Sequence, residues 1–151
     1  MKIFLATDHA GFELKERIKQ WLLEWGYKYE DMGAFAYDAE DDYPDFIRPV
    51  AEKVSQDPEN NRGIVIGGSG QGEAIVSNRY KGVRAAVYVA RSLDLELVRL
   101  MREHNDSNVL SLGARFVSEE DAKEVVRVWL ETPFSGEERH KRRIAKIERR
   151  E

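Results

Sequence analysis

A glutamate closes a glycine-rich turn in the stretch GIVIGGSGQGEAIVSNR, Gly63 to Arg79. Gly67, Gly68, Gly70 and Gly72 let backbone N–H groups converge on an anion at a helix N-terminus. Two nucleotide-binding patterns nevertheless fail. Counted from Gly68, a G-x-G-x-x-G fingerprint meets Glu73 at its last glycine, and Gly67 and Gly72 have Walker spacing but are followed by Glu73 and Ala74 instead of Lys and Ser/Thr. Nucleotide phosphates beside Glu73 would face a like charge, so a nucleotide loop is excluded. Glu73 as a favourable acid in a helix's first turn is the plain alternative. The sharper reading makes it a general base. The loop amides and the Ser69 hydroxyl would stabilise charge growing on an oxygen while Glu73 takes the proton from the adjacent carbon. That is proton abstraction α to a carbonyl, the central step in interconverting an aldose and a ketose.

Other residues could serve the same chemistry. Asp8 and His9 end the first apolar run; Asp8 is a helix cap or a catalytic part, and His9 binds an anion or simply packs. Leu93, Leu97, Leu100, Met101 and His104 recur at helical spacing, which predicts that His104 continues a buried apolar face. That helix returns the chain toward the amino edge of a sheet, so His104 and Asn105 should lie far from Asp8 and the glycine loop of their own chain. If they serve the site, they reach it from a second subunit. A homodimer with shared sites is therefore expected. Arg139 and Arg143, one helical turn apart, can grip one phosphate or form part of a solvated basic face. Ile144 and Ile147 are expected to pack inward beside them.

The elements that would position these residues alternate along the chain. KIFLAT is a strand, and Leu14, Ile18, Trp21, Leu22 and Trp25 mark one face of the helix that follows, closed by Gly26. YKYEDMG is a second strand. A longer loop then leads through Pro44 into a helix over Phe46–Ser55. GIVIGG is an apolar central strand with its helix over Gly72–Tyr80. VRAAVYVA and NVLSLGA supply two more strands, separated by the helix LDLELVRLMREH. Ser118 and Asp121 open a further helix that Pro133 breaks, and EERHKRRIAKIERR forms a last one. The pattern predicts one α/β domain over 1–151, three layers with a five-stranded parallel sheet and a C-terminal helix. Ligands gather at the carboxyl edge of such sheets, which selects DHAG and GGSGQGE.

Composition narrows the classes further. The 151-residue chain has no cysteine, which excludes disulfides, thiolate nucleophiles and sulfur-ligated zinc. Its three histidines are scattered, without a local metal motif. Between Glu137 and Glu151, seven Lys/Arg face four acids, a basic tail on a chain whose formal charge is −4. An acidic body argues against a nucleic-acid partner and suits a locally positive site for a small anion. No apolar run approaches the ~18 residues of a membrane span, and Asp8 comes too early for a signal peptide, so a cytoplasmic protein without membrane contact is expected.

The segments ATDHAGFELK, DYPDF, GGSGQGEAIVSNRYKGVRAA, REHNDSNVLSLGAR and TPFSGEERHKRRIAKIE, in that order, resemble the type B ribose-5-phosphate isomerases and the related galactose-6-phosphate isomerase subunits over essentially the whole chain. The resemblance implies a three-layer Rossmann-like fold and a metal-free and cofactor-free isomerase of ribose 5-phosphate and ribulose 5-phosphate, as a homodimer or dimer of dimers. Many family members carry a cysteine base where Gly67 stands here. Another branch has the GGSGxGE arrangement and a glutamate base, and that branch is the closer match. Carried over, the motifs imply that Asp8 and His9 contact substrate and that Gly68, Ser69, Gly70, Gln71 and Gly72 hold the carbonyl end and the enediolate. They make His104, with Asn105 beside it, the acid that opens the furanose ring. They also make Arg115, Arg139 and Arg143 substrate-holding residues, the last two at the phosphate. Phosphates of allose, galactose or erythrulose are alternative substrates, and a non-catalytic phosphate-binding module is a third reading. A base, a donor and an acid retained together argue against the last.

Overall fold

The computed structural model describes residues 1–148, so Arg149 and Arg150, at the end of the expected last helix, lie outside the described residues. The strands are β1 (Lys2–Thr7), β2 (Tyr29–Asp31), β3 (Asn61–Gly67), β4 (Ala85–Tyr88) and β5 (Val109–Gly113). The helices are α1 (Phe12–Glu24), α2 (Tyr43–Gln56), α3 (Gln71–Ser77), α4 (Leu95–Glu103), α5 (Glu119–Glu131) and α6 (Glu138–Ile147), with a 3-10 turn over His9–Gly11. All strand pairs are parallel, in the order β2-β1-β3-β5-β4. The predicted three-layer α/β architecture is observed.

The central strands are apolar on both faces because both are covered. Ile3, Leu5, Ile64, Ile66, Leu110 and Leu112 meet Ile18 and Leu22 of α1, Val98 of α4 and Val125 and Trp129 of α5. Phe4, Ala6, Val65 and Val109 meet Ile47, Val50 and Val54 of α2 on the opposite face. From β1 the chain passes to β2 on one side of the sheet, while β3 pairs with β1 on the other, so the strand order reverses between β1 and β3. The carboxyl ends of those two strands, Thr7 and Gly67, therefore flank the crevice where α/β sheets bind ligands.

Several boundaries differ from the sequence reading. Pro44 lies in the first turn of α2, where its fixed φ suits helix entry, so the helix begins at Tyr43. The helix α3 stops at Ser77 because the Asn78 side chain exchanges two hydrogen bonds with the backbone of Ala85. Asp94 caps α4, its side chain accepting from Leu97 N, so Leu93 falls outside the helix. The buried face of α4 is Val98, Met101 and Arg102, whereas Leu93 and Leu97 are exposed at 41% and 44%. His104 therefore does not continue a buried apolar face. Ile147 does not pack inward either and is 66% exposed.

A buried lysine fixes the segment after β2. Lys15 Nζ, fully enclosed, donates to Asp31 Oδ1 at 2.6 Å and to the Ala34 carbonyl at 2.7 Å. Burial opposes ionisation of Asp31, but hydrogen bonds from Lys15, Gly33 N–H and Lys19 outweigh it and hold the carboxyl below its ordinary range. The chain is thereby drawn along β1 to its carboxyl end, where Ala34 N donates to Thr7 O at 2.7 Å. The loop from Ala34 to Asp42 then passes over the end of β1.

Candidate active site

The glycine loop is held from below by β5. Ser111 Oγ donates to Gly70 O at 2.6 Å, and the amides of Ala114 and Arg115 donate to the carbonyls of Gly67 and Gly68 at 2.8 and 3.1 Å. Gly70 has φ of +75°, and that left-handed turn lifts the chain off β3 into α3. With carbonyls tied down this way, the amides at the start of α3 face the carboxyl end of the sheet, and Ser69 Oγ accepts a 3.4 Å contact from Gln71 N.

Glu73, in the first turn of α3, is only 4% exposed. Its carboxyl group lies against the Cα of Gly67, in the space a side chain at position 67 would fill. Burial pushes its pKa above the ordinary carboxyl value, a backbone hydrogen bond opposes this, and the charge of Asp8 adds to the rise. Such a group is a stronger base when ionised than an exposed glutamate. The two carboxyls lie on one crevice, Asp8 just past the end of β1 and Glu73 beyond the end of the neighbouring β3.

Asp8 also caps the 3-10 turn by accepting from Ala10 N at 2.9 Å, as the capping reading expects. His9 Nδ1 lies 2.6 Å from Asp41 Oδ1, which also accepts from His9 N at 3.0 Å. The Asp41 hydrogen bond lifts the His9 pKa above its ordinary value; partial burial opposes this, Asp8 reinforces it and Arg115 opposes it. The Arg115 guanidinium lies against Gly68, where a Cβ would stand 3.1 Å from its Nη1. Asp8, His9 and Asp41 have donor atoms within 4.8 Å of one another, close enough to share an ion, although Asp41 already engages His9 Nδ1. Ser69 and Gln71 face a cavity of about 250 Å³ walled by Val89, Ala90, Arg91 and Phe116.

The remaining candidates lie elsewhere. His104 ends α4 and stacks on His140, ring centroids 4.3 Å apart. His140 is buried at 2% exposure, and burial, with the charges of His104 and Arg139, pushes its pKa down. Asn105 O accepts from Arg84 just ahead of β4, at the amino edge of the sheet. On α6, Arg139 pairs with Glu137 at 2.7 Å and Arg143 is exposed. One chain thus gathers Asp8, His9, the loop Gly68–Gly72, Glu73 and Arg115. It leaves His104, Asn105, Arg139 and Arg143 in a second cluster. A surface cavity of about 620 Å³ between α1 and the start of α5 is lined by none of them.

Asp41 and Lys15 escaped the sequence reading. Asp41 is one of five acids between Asp38 and Asp45, and nothing in their spacing marks the one that turns inward.

A doubly covered parallel sheet with an anion-cradling loop and a buried carboxyl at its switch point defines an α/β domain equipped for acid–base chemistry on a small ligand. The family model for Ribose/Galactose Isomerase matches residues 3–147, and the chain belongs to that family. It is 42% identical over 144 residues to ribose-5-phosphate isomerase B of Mycolicibacterium paratuberculosis, covering 95% of this chain and 87% of that one. Its fold superposes with a TM-score of 0.92 on ribose-5-phosphate isomerase B of Mycoplasma genitalium with bound ribulose-5-phosphate, at 39% identity, covering 97% of this chain and 93% of the other. The Clostridium thermocellum enzyme of the same name gives 0.88 at 41% identity, covering 98% and 95%.

Proposed function

We propose that this protein interconverts ribose 5-phosphate and ribulose 5-phosphate, with Glu73 as the base. The observation that carries the reading is the Glu73 carboxyl, buried against Gly67 beside the glycine loop, in a chain of this family. After ring opening exposes the C1 aldehyde, Glu73 removes the C2 proton and returns it to C1 through a cis-enediolate. The loop amides and Ser69 hold the oxygen on which charge grows. Asp8, His9 and Arg115 contact the substrate, and Arg139 and Arg143 hold its phosphate. These last two, with His104 as the ring-opening acid and Asn105, come from a second copy of the chain. Supporting that arrangement, Ile75, Val89, Leu93, Leu97 and Phe116 leave an apolar surface of 38–60% exposed residues beside edge strand β4 and the Ser69 cavity. Base and oxyanion donors are both protein groups, so the reaction is written without a metal.

The test is isomerisation of ribose 5-phosphate in deuterated water. The parent should incorporate deuterium and keep its activity in chelator. Glu73→Gln should bind the sugar phosphate and turn over roughly 10²–10⁴-fold more slowly, the usual worth of a positioned base. A variant as fast as the parent would remove Glu73 from the mechanism.

A further inference from the structure

The isomerase reading assigns nothing to the loop between Ala34 and Asp42, yet its far end makes a specific contact with a substrate residue. Asp41 has a side chain only 8% exposed. Its Oδ1 takes two hydrogen bonds from one histidine, the main-chain N–H of His9 at 3.0 Å and Nδ1 at 2.6 Å. Its Oδ2 is buried and has no partner among the described residues. A buried carboxylate oxygen left without a partner is costly, and a carboxylate serving only the loop's stability would be better replaced by a smaller neutral group. The cost is tolerable if the carboxylate faces a cation, and the group in front of it is His9.

The other surroundings of His9 act in the same direction. Asp8 Oδ2 lies 4.0 Å from Nδ1. Tyr37, from the same loop, meets the imidazole edge-on with centroids 6.2 Å apart at 85°. Among the described residues, Arg115 is the one cation facing the ring, and Asp41, Asp8, Tyr37 and Arg115 make up its charged and titratable surroundings. At the other end the loop is tied by Lys15 to Asp31 and Ala34. It is therefore a strap anchored at both ends, one anchor being the Asp41–His9 pair.

We propose that Asp41 is a positioning residue for substrate binding: it grips His9 at Nδ1 and at the main chain and so presents Nε2–H as a fixed, cationic donor to the sugar phosphate. A histidine bonded at Nδ1 has only Nε2 left for a ligand, so the carboxylate sets both the direction and the protonation of that nitrogen. This rests on the reading that His9 contacts substrate. Asp41 itself touches no reacting atom.

The experiment uses nitrogen-15 histidine NMR on the full chain without substrate, followed by steady-state kinetics, for the parent and Asp41→Asn. Asparagine keeps the shape of the side chain and removes the charge. In the parent, His9 should keep both ring protons to a higher pH than an ordinary histidine, with the Nδ1 proton in a strong hydrogen bond. In Asp41→Asn the His9 midpoint should fall, and KM for ribose 5-phosphate should rise about tenfold while kcat changes by less than about threefold, the pattern of lost binding. A loss of kcat at unchanged KM, or unchanged kinetics with an unchanged midpoint, would overturn the proposal. An ordinary His9 midpoint in the parent would overturn it without any variant. If the parent turned over no sugar phosphate, the isomerase reading would fail, while the ligand-free titration would still decide whether Asp41 governs His9.

Discussion

Adding one methyl group at Gly67 should disable the base without replacing it. Gly67 does not have a positive φ, so alanine there brings no backbone strain. What it meets is the Glu73 carboxyl. Even the farther oxygen, Oε2, would stand 2.5 Å from the new Cβ, where ordinary contacts begin near 3.4 Å, and Oε1 would be closer still. The carboxyl must retreat by more than about 1 Å, and because Glu73 is enclosed it can do so only by turning away from its present position. A displacement of that size costs on the order of 10²-fold in rate when the displaced group does the chemistry. Overpacking should cost about 1–3 kcal/mol of stability, so the variant should still fold.

Steady-state kinetics on Gly67→Ala should therefore show kcat down by roughly a hundredfold, with the thermal transition retained. The control is the same substitution on a Glu73→Ala background. With the carboxyl gone, the collision is gone, and the second change should add little to the first. The same geometry accounts for a cysteine at this position in other branches of the family, since a thiol on residue 67 would stand where this carboxyl now stands. Gly67→Cys combined with Glu73→Ala should recover part of the lost activity, with a pH dependence moved toward the thiol range. A Gly67→Ala enzyme with parental kcat would refute the argument, because it would mean that the carboxyl can leave its place without consequence.

Two further outcomes follow from the same geometry. The folded-state pKa of Glu73 is raised above 4.5, so its contribution to stability is fully present below the unfolded value and is lost as pH rises through the folded pKa. Glu73→Gln should accordingly melt higher than the parent at neutral and alkaline pH, with the difference closing below 4.5, and a lower-melting variant at neutral pH would contradict the burial argument. Co-expressed Glu73→Gln and His104→Ala chains should regain about a quarter of parental activity, because half of randomly mixed dimers carry one intact shared site. No gain over the separate variants would place both residues in the same site of one chain.

Much of the sheet and its loop is legible in the sequence because it depends on local signals. Glycines at 67, 68, 70 and 72 following an apolar run can hardly be anything but a turn at a strand's end, and DHAG follows the neighbouring strand β1 at the same edge. Long side chains with two natures are where the reading fails. Arg102 is a charged residue by composition, yet its stem is buried and its guanidinium donates to the carbonyls of Thr132 and Ser107 and to Asp106. It therefore takes the inward place on α4 that hydropathy gives to Leu97. Lys15 is hidden in the same way, a cation read as surface that sits at 0% exposure because Asp31 and Ala34 O wait for it. Asp41 could not be chosen among its acidic neighbours because its partner, His9, is 32 residues away and meets it only when the loop folds back over β1.

The separation of the two clusters bears on why the chain has the surface it has. The base and cradle follow the carboxyl end of β3, whereas His104 and Asn105 precede β5 at the amino end. A strand of seven residues spans roughly 20 Å, far beyond the reach of any side chain across a five-carbon sugar phosphate. No loop closure within one chain brings them together, since both ends of the sheet are fixed by its parallel registers. On the proposed mechanism a monomer would hold a base without its acid and a cradle without its phosphate grip. The apolar residues around edge strand β4 are then part of the catalytic apparatus as much as the glycine loop is, because association through them would bring His104 of one copy to Glu73 of the other.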